Sequence, residues 1–273
     1  MVIFARIARM RIYVHHHVFS YVDNPTDIAR LFFKICGADA THIVLCKGMA
    51  EKLVLVYGRD IKVRILSNAN LVSPPPVKPS SRHELNSVGF LGNITLEKGI
   101  ADFIQVAEIV QSQDSAVKFS IAGPVPNEQL SALITGFVSR SPANRVYLGP
   151  VYASEKEKFF DNIDLLLFPS RYKNEAEPVT IYEALSRNVA VLATARGCVP
   201  SQLAAECVWA DADGFAAWAA DRIRAGRKNP SMLDGWLRSA PLAEIVSVKS
   251  IFDFGLDVND PNEAIINEGS CEK

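Results

Sequence analysis

Several features that would quickly assign this 273-residue sequence to a functional class are missing from it. The formal net charge is −1 and no long basic run occurs, so nothing predicts binding of nucleic acid. The glycine-rich dinucleotide fingerprint and the P-loop signature are both absent, which removes the usual support for hydride transfer and for P-loop hydrolysis. Arginines interrupt the apolar residues of 1–21, leaving no run near the ~20 residues of a membrane span and no clear signal-peptide core.

Cysteine is scarce and unpatterned. The five cysteines are odd in number and form no Cys-x-x-Cys motif: Cys36, Cys46, Cys198, Cys207 and Cys271. This usage favours free thiols in a reducing compartment over a disulfide framework. Cys198 has no assigned base and is interpreted as a small buried residue. We therefore expect a soluble cytoplasmic protein.

The apolar residues, 49% of the sequence, alternate between strand and helix patterns and predict an α/β fold. Residues 1–73 supply only about three strands. A nucleotide-binding half more usually has ~100–150 residues, so we predict a partial N-terminal domain. Four prolines predict an extended linker at residues 74–81. Residues 82–235 form the predicted C-terminal domain, and residues 236–273 form an extension that ends in an acidic tail.

Two glutamates stand out in the segment from residue 164 to residue 194. An apolar strand is predicted to end at Phe168, a charged loop follows, and Pro178 suits the first turn of a helix that begins near Val179. Glu175 lies in the loop and Glu183 about one turn inside the helix, a Glu-x7-Glu spacing. Both follow the carboxyl end of a strand, where open α/β sheets bind ligands, and the helix offers N–H groups to an anion.

A second helix terminus is predicted after the strand at residues 87–91. A short polar loop delivers Lys98 and Gly99 to a helix that begins near Ile100. Lys98 supplies a positive charge, the helix supplies N–H groups, and Gly99 allows close approach of the backbone. This combination suits a diphosphate. The alternative is a solvated lysine, although a lysine in a first helical turn opposes the helix dipole unless an anion is present.

The sequence PSRYKNEAEPVTIYEALSRNVAVLAT resembles the segment PSxxEGFxxxxLEAxAxGxPVVAT of GT-B glycosyltransferases of the large retaining family 4. GNITLEKG is similar to the GRLxxEKG of that family. The resemblance implies two Rossmann-like domains, of which the N-terminal one is shortened here. It also implies transfer from a nucleotide-diphosphate sugar with retention, without a metal and without a further cofactor, to a sugar, lipid-linked or other acceptor.

The resemblance assigns roles residue by residue. Glu183 would bind the ribose hydroxyls and Glu175 the transferred sugar. Lys98, Asn93 and Gly99, with the backbone N–H groups of Val179 and Thr180, would bind the diphosphate. Asn93 stands where the family has arginine, so one cation of the expected pair is missing. Arg171 or Lys173 could compensate in part.

The run His15-His16-His17 follows a predicted strand. The resemblance places one histidine in the interdomain cleft beside the donor sugar, with His17 the first choice and His16 the second. His15 and His17 would share one face of a strand, which allows a metal site, but no further ligand occurs at a recognisable spacing. A surface cluster without chemistry is the third interpretation.

The short N-terminal domain leaves alternatives to an active enzyme. The chain could be a noncatalytic or partner-dependent nucleotide-sugar-binding protein, with a partner chain completing the N-terminal domain. It could also be a remnant of a transferase. A lipid-linked acceptor would bring the protein to the inner membrane face.

Overall fold

The computed structural model describes residues 2–72, 84–211 and 213–238. These residues form two parallel β-sheets with helices packed on them, which confirms the predicted α/β fold. The predicted linker at residues 74–81 lies outside the described residues, as does the chain after residue 238. Within the described ranges, no helix is long and apolar enough to cross a membrane.

The N-terminal region contains a three-stranded sheet of order β1-β2-β3. Its elements follow one another in the order α1 (Val2–Ile7), β1 (Tyr13–His15), α2 (Ser20–Asp23), α3 (Asp27–Cys36), β2 (Thr41–Val44), α4 (Lys47–Tyr57), β3 (Lys62–Ile65) and a 3-10 helix (Asn68–Leu71). Thr26 caps α3, since its side chain accepts a hydrogen bond from the Ala29 N–H. The sequence predicts about three strands in residues 1–73, and this sheet has three.

The C-terminal region contains a six-stranded sheet of order β6-β5-β4-β7-β8-β9. Its elements are β4 (Ser87–Leu91), α5 (Ile100–Gln111), β5 (Lys118–Ala122), α6 (Glu128–Ser139), β6 (Arg145–Tyr147), α7 (Ser154–Asp161), β7 (Leu165–Phe168), α8 (Val179–Ser186), β8 (Ala190–Thr194), α9 (Val199–Gln202), a 3-10 helix (Ala205–Cys207), β9 (Val208–Trp209), α10 (Phe215–Lys228) and α11 (Ser231–Arg238). Every residue of β7 and β8 is buried, as expected of central parallel strands covered on both faces.

The predicted boundary between residues 235 and 236 falls inside α11. Trp236 in this helix is 2% exposed and packs in the main hydrophobic core. The C-terminal extension therefore does not begin at residue 236, because α11 belongs to the packed C-terminal region.

Two cysteines that the sequence analysis left unpaired form a disulfide. Cys46 lies at the amino end of α4 and Cys198 at the amino end of α9, with their Cα atoms 6.0 Å apart. The prediction of free thiols is wrong for this pair, because folding brings together residues that are 152 positions apart in sequence. The described free cysteines, Cys36 and Cys207, are both buried.

Candidate functional site

The strand order of the six-stranded sheet creates a switch point between β4 and β7. From β4 the chain continues to β5 and β6 on one side, whereas β7, β8 and β9 lie on the other. The loops that leave the carboxyl ends of β4 and β7 therefore diverge, and such a crevice is where open α/β sheets bind ligands. These two loops carry Lys98 and Glu175.

A glycine lets these two loops touch. Gly99, at the amino end of α5, has φ +82°, and a Cβ on it would lie 2.0 Å from the Pro169 carbonyl oxygen. Only glycine accommodates both the left-handed conformation and this contact. The Arg171 N–H also donates to the Glu97 carbonyl oxygen at 2.7 Å. Both contacts fix the loop that bears Glu175 against the amino terminus of α5.

Lys98 and Glu175 form an ion pair between the two loops. The Lys98 Nζ lies 2.7 Å from Glu175 Oε2, and the Ser170 hydroxyl donates to the same oxygen at 2.7 Å. The lysine also lies over the Tyr172 ring, 4.8 Å from its centroid. Glu175 is 8% exposed. The carboxylate is thus the anion that holds Lys98 beside the helix terminus, and a phosphate would compete for the same ammonium group.

The first turn of α8 and Glu183 follow Glu175 closely in the sequence. Lys156 Nζ donates to Glu183 Oε1 at 2.5 Å. Pro178 occupies the N-cap of α8 and has no side chain able to accept hydrogen bonds from Val179 and Thr180, both of which are half-buried. The helix terminus can therefore offer these N–H groups to an anion.

Asn93 and the two candidate compensating cations differ in their surroundings. Asn93 is exposed in the loop after β4, and Lys173 is exposed in the loop after β7. Arg171 donates to both carboxylate oxygens of Asp102, at 2.8 and 2.7 Å. This bidentate pairing occupies the arginine, so its charge is already matched.

The three histidines separate into exposed and buried groups. His15 and His17 are exposed, and their ring centroids lie 3.9 Å apart. His16 is buried and hydrogen-bonds through Nδ1 to the Tyr21 hydroxyl at 2.5 Å and through Nε2 to His42 Nδ1 at 2.9 Å. Burial, with the nearby His42 as a smaller cause, lowers the pKa of His16 to about 4. Across the ranges covered by the structure, no group of three His, Cys, Asp or Glu side chains could hold a metal ion.

The loop after β8 packs on the loop that carries Glu175, a contact that sequence patterns did not indicate. Thr194 Oγ1 donates to the Ser170 carbonyl oxygen at 2.5 Å, and the Cys198 N–H donates to the Ala176 carbonyl oxygen at 2.6 Å. A Cβ on Gly197 would lie 2.3 Å from the Glu175 carbonyl oxygen. Arg196 is the residue before this glycine, and its Nε is buried without a hydrogen-bond acceptor among the described residues.

Glu177 joins the two regions, and sequence reasoning passed over it. Its carboxylate accepts hydrogen bonds from the Asn68 N–H at 2.5 Å, the Tyr182 hydroxyl at 2.7 Å and the Ser67 hydroxyl at 2.9 Å. Asn68 Nδ2 also donates to the Glu177 carbonyl oxygen at 2.8 Å. Burial raises the pKa of Glu177, while the three hydrogen bonds to its carboxylate act in the opposite direction. The loop after β7 is thus fastened directly to the end of the N-terminal region.

Comparison with known proteins identifies a family for this chain. The profile of the glycosyl transferases group 1 family matches residues 76–224, just over half of the chain. No curated protein matches the chain by sequence.

Several solved structures share the fold at low sequence identity. Anabaena HepE, in complex with UDP and glucose, is 15% identical with a TM-score of 0.64, covering 89% of this chain and 69% of that one. A variant of S. aureus TarM, in complex with Fondaparinux, alpha-GlcNAc-glycerol and UDP, is 18% identical with a TM-score of 0.61, covering 89% and 52%. Sucrose-phosphate synthase from Thermosynechococcus elongatus is 15% identical with a TM-score of 0.60, covering 88% and 63%.

These neighbours confirm the predicted GT-B type of fold. The matched residues include the loops after β4, β7 and β8, together with Lys98, Glu175 and Glu183. The chain belongs to the glycosyl transferases group 1 family.

Proposed function

We propose that this protein transfers a sugar from a nucleotide-diphosphate sugar to an acceptor, with retention of anomeric configuration and without a metal ion. One observation carries the proposal. The Lys98–Glu175 pair sits between the loops at the switch point of the sheet, at 2.7 Å, and it follows the order of the family motifs. A family profile that matches this part of the chain supports the assignment.

The Lys98–Glu175 pair suggests how donor binding would rearrange the site. A diphosphate that enters beside Lys98 competes with the carboxylate for the ammonium group. When Lys98 turns to the phosphate, Glu175 Oε2 keeps the hydrogen bond from Ser170 and regains a lone pair that can accept a hydrogen bond from a hydroxyl of the transferred sugar. Negative charge then grows on the leaving diphosphate, where Lys98 and the N–H groups of Val179 and Thr180 stabilise it.

The other proposed donor contacts lie close in sequence to Lys98 or to Glu175. Glu183 would accept hydrogen bonds from the ribose hydroxyls, and Lys156 holds its carboxylate in place at 2.5 Å. Asn93 would donate to a phosphate oxygen as a neutral group. Gly99 serves the site by letting the two loops meet.

His17 remains our first choice for a histidine beside the donor sugar. It is exposed, whereas His16, the second choice, already uses both ring nitrogens in hydrogen bonds to Tyr21 and His42. His17→Ala is the variant that tests this role.

The family and the ligands bound by the structural neighbours support the proposed donor and acceptor classes. HepE and TarM were crystallised with UDP, so uridine diphosphate sugars are the first donors to test. The proposed acceptor is a sugar, a lipid-linked molecule or another acceptor. The proposed location is the cytoplasm, at the inner membrane face where the acceptor is lipid-linked. A disulfide is uncommon in a reducing cytosol, so fractionation under thiol-blocking conditions is the appropriate check.

One observation favours a partner-dependent form of the same function. The N-terminal region exposes large apolar side chains on α1 and α3: Ile3 (59%), Phe4 (70%), Ile7 (77%) and Ile28 (81%). Further protein packing on this face, from a partner chain, would complete a larger acceptor-side domain. In that case the chain alone binds the donor but transfers no sugar.

The first test is calorimetric titration of the purified chain with UDP, GDP and ADP sugars. We expect saturable binding of one donor, which Glu183→Ala weakens at least tenfold because charge-assisted hydrogen bonds worth roughly 1.5–3 kcal/mol are lost. Glu128→Ala, an exposed glutamate on α6, is the matched control. A folded chain that binds no donor would contradict the proposal.

Turnover tests the remaining parts of the proposal. Release of the nucleoside diphosphate in the presence of EDTA would support a metal-independent reaction, and NMR of the product gives the anomeric configuration. Donor binding without transfer would favour the partner-dependent form.

A further inference from the structure

We propose that Arg196 provides the second cation for the donor diphosphate, in place of the arginine that Asn93 replaces. The inference rests on the proposed function and concerns the same site. It assigns a binding role to a residue on the loop after β8, whereas the expected cation pair lies on the loop after β4.

The charges around the site show why a further cation is needed. Lys98 is paired with Glu175, and Lys156 is paired with Glu183. Arg171, a nearby candidate, is held by Asp102. Each of these cations is matched by at least one carboxylate, so together they contribute little net positive charge for a ligand that brings about two negative charges or more.

Arg196 differs from these residues because its charge is not matched. Among the residues that the structure describes, no carboxylate lies within ion-pair distance of it, and its Nε is sealed from solvent without an acceptor. A buried, unsatisfied donor on a charged group carries a desolvation penalty that an incoming anion would remove. A guanidinium also presents a planar fork of donors that fits two phosphate oxygens.

The backbone places Arg196 beside the donor loop. It is the second residue after β8, the strand adjacent to β7. Gly197, with φ +52°, brings this backbone against the carbonyl oxygens of Glu175 and Ala176, where a Cβ would lie within 2.3 Å of both. The side chain at position 196 therefore starts from the carboxyl edge of the sheet, one loop away from the Lys98–Glu175 pair.

The loop that carries Arg196 is anchored on both sides. Thr194 donates to the Ser170 carbonyl oxygen before it, and Cys198 is joined to Cys46 after it. An anchored loop loses little conformational entropy when its arginine binds a ligand, in contrast to the exposed Lys173. This favours Arg196 over Lys173 as the second cation.

The test separates phosphate recognition from nucleoside recognition. Calorimetry would measure the affinity of wild-type protein, Arg196→Gln and Arg222→Gln for uridine, guanosine and adenosine diphosphates and for the corresponding nucleosides. Arg222 is a matched control because it lies on α10 over the Trp218 ring. We expect Arg196→Gln to weaken binding of the diphosphate at least tenfold without changing nucleoside affinity, and Arg196→Lys to restore part of the loss.

The possible failures are distinguishable. If wild-type protein binds a nucleoside diphosphate and Arg196→Gln binds it equally well, Arg196 has no such role and the proposed function stands. An equal loss of nucleoside affinity would also overturn the inference, since the residue would then act on the fold or on the base. If wild-type protein binds no nucleoside diphosphate, the proposed function fails and the inference with it.

Discussion

The six-stranded and three-stranded sheets are stabilised in different ways. The larger sheet has a core drawn entirely from its own region, with Phe103 packed between Phe90 and Phe119. The core beside the smaller sheet is closed by two residues from the loops of the larger one, Ala176 and Cys198. For apolar packing the dependence therefore runs one way. The N-terminal core includes residues from the loops after β7 and β8, whereas the C-terminal core contains no N-terminal residue.

The largest expected loss of stability comes from a large-to-small substitution in each core. Phe103→Ala and Phe33→Ala should each cost about 3–5 kcal/mol, because each removes a buried aromatic ring. The fluorescence of the three tryptophans reports only the C-terminal region, where all of them lie: Trp209, Trp218 and Trp236. Thermal unfolding followed by fluorescence and by far-UV circular dichroism separates the two regions.

We expect Phe103→Ala to lower the unfolding temperature measured by fluorescence and by circular dichroism. Phe33→Ala should lower the unfolding temperature of the N-terminal region alone, which circular dichroism detects and tryptophan fluorescence does not. If Phe33→Ala lowered the fluorescence transition as much as Phe103→Ala does, the one-way dependence would be wrong.

The disulfide gives the next largest effect. Cys46→Ser should destabilise the N-terminal region by about 2–5 kcal/mol, since the bond closes a long loop in the unfolded chain. Circular dichroism with and without a dithiol reductant measures the loss, and the reductant should have no further effect on the variant. Cys36→Ser, which alters a buried free thiol of the same region, is the control for packing. A wild-type protein insensitive to reductant would contradict this expectation.

The Glu177 contact should have a smaller effect. Glu177→Ala leaves the Asn68 N–H without its acceptor, which costs about 1–3 kcal/mol when the group stays buried. A double-mutant cycle with Ser67→Ala measures the coupling, which should be about 0.5 kcal/mol or more for residues in direct contact. If the stability losses of the two single variants simply add in the double variant, the Glu177 carboxylate stabilises only the C-terminal region.

The smallest effect is a pH dependence confined to the N-terminal region. Burial lowers the pKa of His42 and of His16 from 6.5 to about 4, so the unfolded chain takes up protons between these values that the native state does not. Stability is therefore full above pH 6.5 and falls as the pH drops toward 4. From about pH 7 to about pH 5.5 the loss should be on the order of 1 kcal/mol for each of the two histidines.

Urea titrations at the two pH values measure this change. His42→Gln should flatten the dependence, and His17→Gln, which alters an exposed histidine, should not. An unchanged slope in His42→Gln would assign the effect to other groups.

The sequence predicted those parts of the fold that depend on neighbours in the chain. The strand Ser87–Leu91 and the start of α8 at Val179 were both correct, because apolar runs and Pro178 mark them locally. The helix Val2–Ile7 was missed, since it has no acidic residue in its first turn and buries no side chain. The two-residue strand Val208–Trp209 is too short to show a periodicity.

The contacts of the site were less predictable because they join distant residues. The sequence placed Lys98 and Glu175 at two loops of one sheet edge, but their ion pair depends on a separation of 77 residues. Glu177 was passed over as a loop charge because its partners at residues 67 and 68 lie more than a hundred positions away. Arg196 carries no local signal at all, since only the packing of its loop shows that its Nε has no acceptor within the described residues.

The bond between Cys46 and Cys198 also changes the covalent topology of the chain. The ring it closes spans residues 46–198 and therefore contains the whole connection between the two sheets, including residues 73–83. A protease that cuts within this segment leaves two fragments that migrate as one species until a reductant is added. The protein can thus lose its peptide connection and still keep His17 and the Lys98–Glu175 pair in one covalent molecule.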